Sequence, residues 1–411
     1  MRIRLFLACV ALALSSCVTS SPPIVSDQPL PNQRTQPQYE VDWATPPKPV
    51  AFDALPDWDQ ASLAPGLAAL RRSCEVFSRK PPAELLSARA PWAGRADDWV
   101  PACSALDVIG DESSARAVIQ ALFTPVEISS ADERSRFTGY FEPMYEARLT
   151  PQPPFTEPVP ARPEDLISEY GSVLQVRSNG TRRPYPPRAE ITRQGVVPLA
   201  YAHPADVFFL QIQGSGRLML PDGRTLRAAY AANNGQPFVS TANWLISKGW
   251  ISRGEANMTG IKAWMNRTSP ALVREAMNIN PRFVFFDLLP EGDPNLGPKG
   301  SLGVPLTPMG SIAVDPEYHA AGVPMFLETT APSLGGRWSG FMVAQDTGGA
   351  IKGPVRADLF FGTGVSAGAA ADTVNAPGRL WVLLPRGVAA RLSATQDLAE
   401  RKGIGLLAAA P

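Results

Sequence analysis

The stretch from Arg337 to Gly362, RWSGFMVAQDTGGAIKGPVRADLFFG, constrains the fold most, because it pairs strand-like runs with glycine turns and carries two carboxylates. Residues 337–345 are rich in Trp, Phe, Met and Val with small residues between, the pattern of a buried strand ending at Asp346. Thr347, Gly348 and Gly349 then form a turn. Beyond Lys352-Gly353-Pro354, a second short strand over 355–361 directs Arg356, Asp358 and Phe360 to one face and Ala357, Leu359 and Phe361 to the other. Asp is disfavoured in strands and costly to bury unpaired, so Asp358 between Ala357 and Leu359 needs a reason. Either it caps a loop or pairs with Arg356, or it does chemistry. The context for chemistry is Gly348-Gly349, which permits positive φ or close approach of a ligand, the cation of Lys352, and a third carboxylate, Asp315, ending a strand-like run at 311–315.

Three aspartates in the order Val314-Asp315-Pro316, Asp346-Thr347-Gly348-Gly349-Ala350-Ile351-Lys352-Gly353 and Arg356-Ala357-Asp358-Leu359-Phe360-Phe361-Gly362 resemble the three-Asp domain of the membrane-bound lytic murein transglycosylase A family. Upstream, Phe137-Thr138-Gly139-Tyr140, Gln211 to Gly216 with Pro221-Asp222-Gly223, Tyr230 to Gly235 and Asn280 to Phe286 extend the resemblance over about 137–385. It implies a mainly β fold with an α-helical N-terminal part: a double-psi β-barrel, a second β domain inserted into it, and a substrate groove between them. The corresponding divisions are a helical part at 52–136 packing with the barrel, an inserted β domain at 137–280, the barrel with its three aspartates at 281–390, and a tail at 391–411.

The chain opens with Arg2 and Arg4 before an apolar run, then Leu14-Ser15-Ser16-Cys17. The run is too short to span a bilayer, and small residues before a Cys read as a lipoprotein processing site that leaves Cys17 lipidated at the mature N-terminus. The alternative is an ordinary signal peptide with an incidental Cys. Val18, in place of the Asp that retains lipoproteins at the inner membrane, points to an outer-membrane anchor facing the periplasm. Residues 18–51, rich in Pro, Gln, Ser and Thr, read as a disordered tether; fully extended, such a segment spans on the order of 100 Å.

A net charge of zero and no basic run exclude nucleic acid as a natural partner. With 43 prolines, 33 glycines and 18% charged residues, the composition suits a loop-rich β protein. Of four cysteines, Cys9 lies in the signal and Cys17 is the lipid site, leaving Cys74 and Cys103. An oxidising setting favours a disulfide between them over two buried thiols. It would staple the helical stretches 59–78 and 115–123.

In the middle of the chain, 206–212 alternates as a strand into the turn Gln213-Gly214-Ser215-Gly216, followed by a Pro-Asp-Gly hairpin. That cluster is either a tight hairpin alone or, beside the resemblance, a sugar-binding element. Gln213, Ser215, Gly216, Asn234, Tyr140 and Lys352 are the substrate-binding candidates, with Tyr230 a further ring. Residues 244–249 and 257–276 read as helices; Trp264, and Trp250 between them, are read as packing residues, with a sugar platform the alternative. Short strands follow at 283–288, 311–314, 324–328, 340–345, 355–361 and 380–384, the spacing of a small barrel.

His203 and His319 are the only histidines, and neither has a ligand-spaced partner, so a Ser-His-Asp triad and a zinc site are both unsuited. No spacing implies a metal or cofactor. Carboxylates remain, and glycosidic cleavage is a reaction they carry alone. By the resemblance, the substrate is the glycan strand of peptidoglycan, cleaved between N-acetylmuramic acid and N-acetylglucosamine with 1,6-anhydro ring closure. Asp358 is the general acid/base, Asp346 tunes it or binds substrate, and Asp315 supports the strand. Two other readings stay open: a two-carboxylate polysaccharide hydrolase, and a wall-binding lipoprotein without catalysis. Whether Glu142 touches substrate is also open.

Overall fold

The computed structural model describes residues 47–130 and 134–401. The signal, Cys17 and almost all of the expected tether lie outside them. Strand β1 (Lys48–Pro49) is followed by helices α1 (Ala64–Phe77), α2 (Ala96–Asp107) and α3 (Glu112–Leu122), then β2 (Phe123–Ile128) and β3 (Arg136–Glu142). Next come β4 (Met144–Arg148), β5 (Glu157–Pro160), β6 (Leu166–Glu169), β7 (Ser172–Val176), β8 (Arg182–Pro184), α4 (Arg188–Gln194), β9 (Pro198–Ala202), α5 (Pro204–Gln213), β10 (Gly216–Met219) and β11 (Thr225–Asn233). Helices α6 (Thr241–Ser247), α7 (Met258–Asn266) and α8 (Pro270–Asn278) lead to β12 (Val284–Pro290). The last third supplies β13 (Ser311–Val314), β14 (Pro324–Ala331), β15 (Gly336–Thr347), β16 (Arg356–Thr363), α9 (Val365–Ala371), β17 (Asn375–Ala376), β18 (Arg379–Pro385) and α10 (Arg386–Arg401).

Nine strands form one mixed sheet in the order β1-β2-β18-β14-β15-β13-β16-β3-β17, and six form a second in the order β12-β11-β10-β4-β9-β5. A three-stranded sheet, β6-β7-β8, completes the set. The chain leaves the first sheet after Glu142 and re-enters it at Ser311, so β3 belongs to the first sheet and β12 to the second. Strand β3, within the expected inserted domain at 137–280, thus pairs in the first sheet, and β12, past its expected end, in the second. Lys48 and Pro49, expected in the tether, pair with Glu127 and Val126. The expected tail likewise begins inside α10.

Helix α1 lies against β15 so closely that a Cβ on Gly66 would stand 2.3 Å from the Phe341 carbonyl oxygen. Leu67, Leu70, Cys74 and Phe77 fill the same core as Met325, Phe326, Phe341 and Trp381. Gln345, wholly buried, locks this packing: its Nε2 donates to Ala69 O at 2.7 Å and to Ser73 Oγ at 2.9 Å, and its Oε1 accepts from Ser311 Oγ at 2.7 Å. The residue after Gln345 is Asp346, so the helical layer fixes the strand that presents it.

Cys74 and Cys103 are disulfide-bonded with Cα atoms 5.5 Å apart. The staple joins α1 to α2, not to the stretch at 115–123. Helix α2 carries Pro101 in its interior, which in sequence argues for a break.

Residues 206–212 are helical, correcting the expected strand. His203 Nδ1 accepts from Ala205 N at 3.3 Å, Pro204 occupies the first turn, and Gly214 closes the helix at φ 84°. Val207, Phe208, Phe209, Leu210 and Gln211 are all buried, and a helix apolar on most sides has no stripe to separate it from a buried strand. The helix expected at 257–276 is two helices, since Pro270 begins α8 and cannot continue α7.

Candidate active site

The site is built across four strands at one level. In the register of the first sheet, Ala313 on β13 lies opposite Asp346 on β15 and opposite Asp358 on β16, and Asp358 lies opposite Thr138 on β3. Neighbouring strands run about 4.7–4.9 Å apart, so the two aspartates flank Ala313 at two strand spacings.

Asp346 is bonded through both oxygens. Its Oδ1 accepts from Ser301 N at 3.0 Å and its Oδ2 from Tyr140 Oη at 3.0 Å. Tyr140 is held by the Phe360 ring, 5.2 Å away between centroids. Burial pushes the Asp346 carboxyl up to about 6, against the donors Thr347 N, Ser301 N and Tyr140 Oη, and the charge of Asp358 adds to the rise. The Tyr140 hydroxyl is held well above its ordinary pKa by burial and by both aspartates, so it stays a donor.

Asp358 differs. Its Oδ1 accepts from Thr138 Oγ1 at 2.6 Å, and among the described residues its Oδ2 has no partner. Thr138 Oγ1 in turn accepts from Arg356 Nη2 at 2.8 Å, while Arg356 Nη1 donates to Ala357 O at 2.6 Å. The cation therefore reaches the carboxylate through a hydroxyl. Burial raises the Asp358 carboxyl, with the Thr138 hydrogen bond and the charges of Arg356 and Arg136 opposing. Burial thus favours the protonated form of both carboxyls.

Lys352 does not oppose that rise directly, because its Nζ lies 3.3 Å from Asp315 Oδ1. Asp315 is buried and also accepts from Gly353 N at 2.9 Å, which ties down the far end of the loop that begins after Asp346. Of the remaining candidates, Asn234 is a structural clasp: its Nδ2 donates to Pro186 O and Pro281 O, each at 2.9 Å, and its Oδ1 accepts from Phe283 N at 2.8 Å. It has no amide group left to offer a sugar. Gly216 packs on Leu210 and Pro143, Ser215 is buried, and Gln213 Oε1 is buried without a partner among the described residues.

Glu142 is enclosed by two arginines. It is 1% exposed, and it accepts from Arg217 Nε at 2.9 Å, Arg227 Nε at 2.8 Å and Thr363 Oγ1 at 2.9 Å. This buried ion cluster couples β3 and β16 of the first sheet to β10 and β11 of the second. Sequence reasoning missed Thr138 and Ser301 as site residues. Thr138 was accessible through alternation with Tyr140; Ser301, acting through its backbone in a loop, left no signal.

His319 is buried, with Nε2 2.7 Å from Pro354 O, and burial lowers its pKa to about 4. Among the described residues no group of three or more His, Cys, Asp or Glu is arranged to hold a metal ion. A cavity of 610 Å³ lies between α9 and the second sheet's helices, lined by Phe141, Tyr145, His203, Lys262 and Gly368. Phe141 and Gly139 face α9, whereas Thr138 and Tyr140 face the aspartates, so this cavity lies on the other side of β3 from the carboxylate row.

Comparison with known proteins fits this layout. Residues 136–287 match the MltA specific insert domain, and residues 310–384 match the 3D domain. The membrane-bound lytic murein transglycosylase A of Vibrio cholerae is 34% identical over 258 residues, 60% of this chain and 64% of the relative's length. Among solved structures, a membrane-bound lytic murein transglycosylase from Agrobacterium tumefaciens superposes with a TM-score of 0.73 at 27% identity, covering 84% of this chain and 99% of that one. The lytic transglycosylase LtgG of Burkholderia pseudomallei is 36% identical with a TM-score of 0.54, covering 83% and 95%. The chain belongs to the membrane-bound lytic murein transglycosylase A family.

Among the described residues no helix is long and apolar enough to cross a membrane.

Proposed function

We propose that this protein is a lytic transglycosylase of peptidoglycan, cleaving the β-1,4 bond between N-acetylmuramic acid and N-acetylglucosamine with Asp358 as general acid/base. The observation that carries the reading is the contrast within the pair: both oxygens of Asp346 are bonded, whereas Asp358 keeps Oδ2 for a substrate. Protonated Asp358 gives its proton to the leaving O4 as the C1–O4 bond breaks. The anion then takes the proton of the C6 hydroxyl as O6 closes on C1, and the 1,6-anhydro ring forms. One carboxyl serves both transfers, and the second reagent is the substrate's own hydroxyl.

Asp346, immobilised by Ser301 and Tyr140, keeps a second carboxyl beside the acid, and burial favours retention of the proton on Asp358. The first sheet is taken as a double-psi β-barrel, in keeping with β13 lying parallel to β15 and antiparallel to β16. The inserted domain, expected at 137–280, is supported by the match of residues 136–287 to the MltA specific insert domain. Lipidation at Cys17 and an outer-membrane location complete the proposal; the Vibrio relative's description as membrane-bound supports the coarser part of it. The test is mass analysis of the sugars released from purified peptidoglycan. Anhydro-terminated products support the reading, reducing ends point to a hydrolase, and no release points to a wall-binding protein.

A further inference from the structure

Arg282 follows the Asn280-Pro281 turn at the start of β12, yet its guanidinium reaches the catalytic loop of the other sheet: a Cβ placed on Gly349 would stand 3.5 Å from Arg282 Cζ. Gly349 is three residues past Asp346. The partly buried Arg282 has one side-chain hydrogen bond, from Nη1 to Gln236 O at 3.4 Å, and no carboxylate among the described residues pairs with it. The other part-buried and buried arginines of this region are satisfied. Arg188 donates to Asn280 O, Gln211 Oε1 and Arg282 O; Arg217 and Arg227 share Glu142; Arg274 is bidentate on Glu157.

A guanidinium offers five N–H donors in a planar fork that matches a carboxylate. Partial burial lowers the Arg282 pKa and leaves an uncompensated cation, which an incoming anion relieves. Beside it, Tyr230 is 48% exposed and accepts a hydrogen bond from Asn233, so this edge of the inserted domain presents a hydroxyl and a ring together with the cation.

We infer that Arg282 is a specificity-determining residue that binds a carboxylate of the glycan strand lying between Gly349 and the inserted domain. The inference rests on the peptidoglycan reading above. That polymer offers two sources of a carboxylate: the lactyl group of muramic acid where the stem peptide has been removed, and the stem peptide itself.

The test uses the full chain carrying Asp358→Asn, which holds strands uncleaved, with and without Arg282→Gln or Arg282→Lys. Calorimetry measures binding of three glycans of equal length: peptide-bearing murein, peptide-stripped murein and a neutral chitooligosaccharide. Arg282→Gln is expected to weaken one or both murein ligands about tenfold or more, the range of a lost charge-assisted pair, while chitooligosaccharide binding stays within about twofold. Arg282→Lys retains part of the difference. The murein ligand that suffers identifies the carboxylate.

Equal weakening of all three ligands, the neutral one included, would assign Arg282 a structural role and overturn the inference, as would no weakening of either murein. Failure of the underlying reading looks different: the parent Asp358→Asn chain itself then binds no murein ligand.

Discussion

Asp346 and Asp358 stand on opposite sides of one alanine, Ala313, in register across three adjacent strands, although twelve residues of sequence separate them. The sheet gives them different surroundings. Asp346 is enclosed by the Ser301 amide and the Tyr140 hydroxyl, and among the described residues Asp358 accepts from Thr138 alone. The division of labour proposed here follows from that asymmetry.

Thr138 is the one hydroxyl between Arg356 and Asp358. Thr138→Val keeps the volume but removes the donor, which raises the Asp358 carboxyl further and leaves Arg356 facing a methyl. Activity is expected to fall roughly tenfold, with the basic limb of the pH–rate profile moving to higher pH, while Thr138→Ser restores both. A loss with an unmoved pH profile would assign Thr138 to packing.

Asp346 makes a stability prediction with a definite sign. Its folded pKa of about 6 lies above the ordinary value of 3.8, so the stability tied to its proton is full below pH 3.8 and is lost as pH rises through 6. Asp346→Asn, which mimics the protonated form, is expected to raise Tm by about 2–4 °C at pH 8 and to change it little at pH 4. Melting curves at the two pH values check it.

Glu142 is sandwiched between Arg217 and Arg227 with almost no solvent. Glu142→Gln leaves two buried guanidiniums with reduced compensation, and a loss of about 3 kcal/mol or more in denaturant unfolding is expected. Were the residue a substrate ligand instead, glycan affinity would drop with stability unchanged.

The Cys74–Cys103 bridge closes 29 residues over the α1–α2 pair. Replacing both by Ser is expected to cost about 2–4 kcal/mol while leaving turnover at low temperature intact, because neither cysteine approaches the carboxylate row.

What the sequence made legible follows from burial. Strands β13 to β16 and β18 are short apolar runs bounded by Gly and Pro, and their expected positions match the observed ones within a few residues. The aspartates were conspicuous because a carboxylate inside such a run has no packing reason to be there. Helix α5 was misread since Val207 to Leu210 are buried together, which erases the periodicity that distinguishes a helix. Asn234 and Glu142 show another limit: a polar residue in a strong motif can be a clasp or a buried ion pair, and only the partners tell. Arg282 and Ser301 act across sheets and loops, where sequence distance carries no information.

The most direct test is the mass spectrum of sugars released from purified peptidoglycan by the chain lacking residues 1–17, run beside Asp358→Asn and Asp346→Asn. A single-carboxyl mechanism on Asp358 predicts products ending in 1,6-anhydro-N-acetylmuramic acid, reduced by about a thousandfold or more in folded Asp358→Asn and by less in Asp346→Asn. Near-full anhydro release by folded Asp358→Asn, or reducing ends from the unaltered chain, would contradict it.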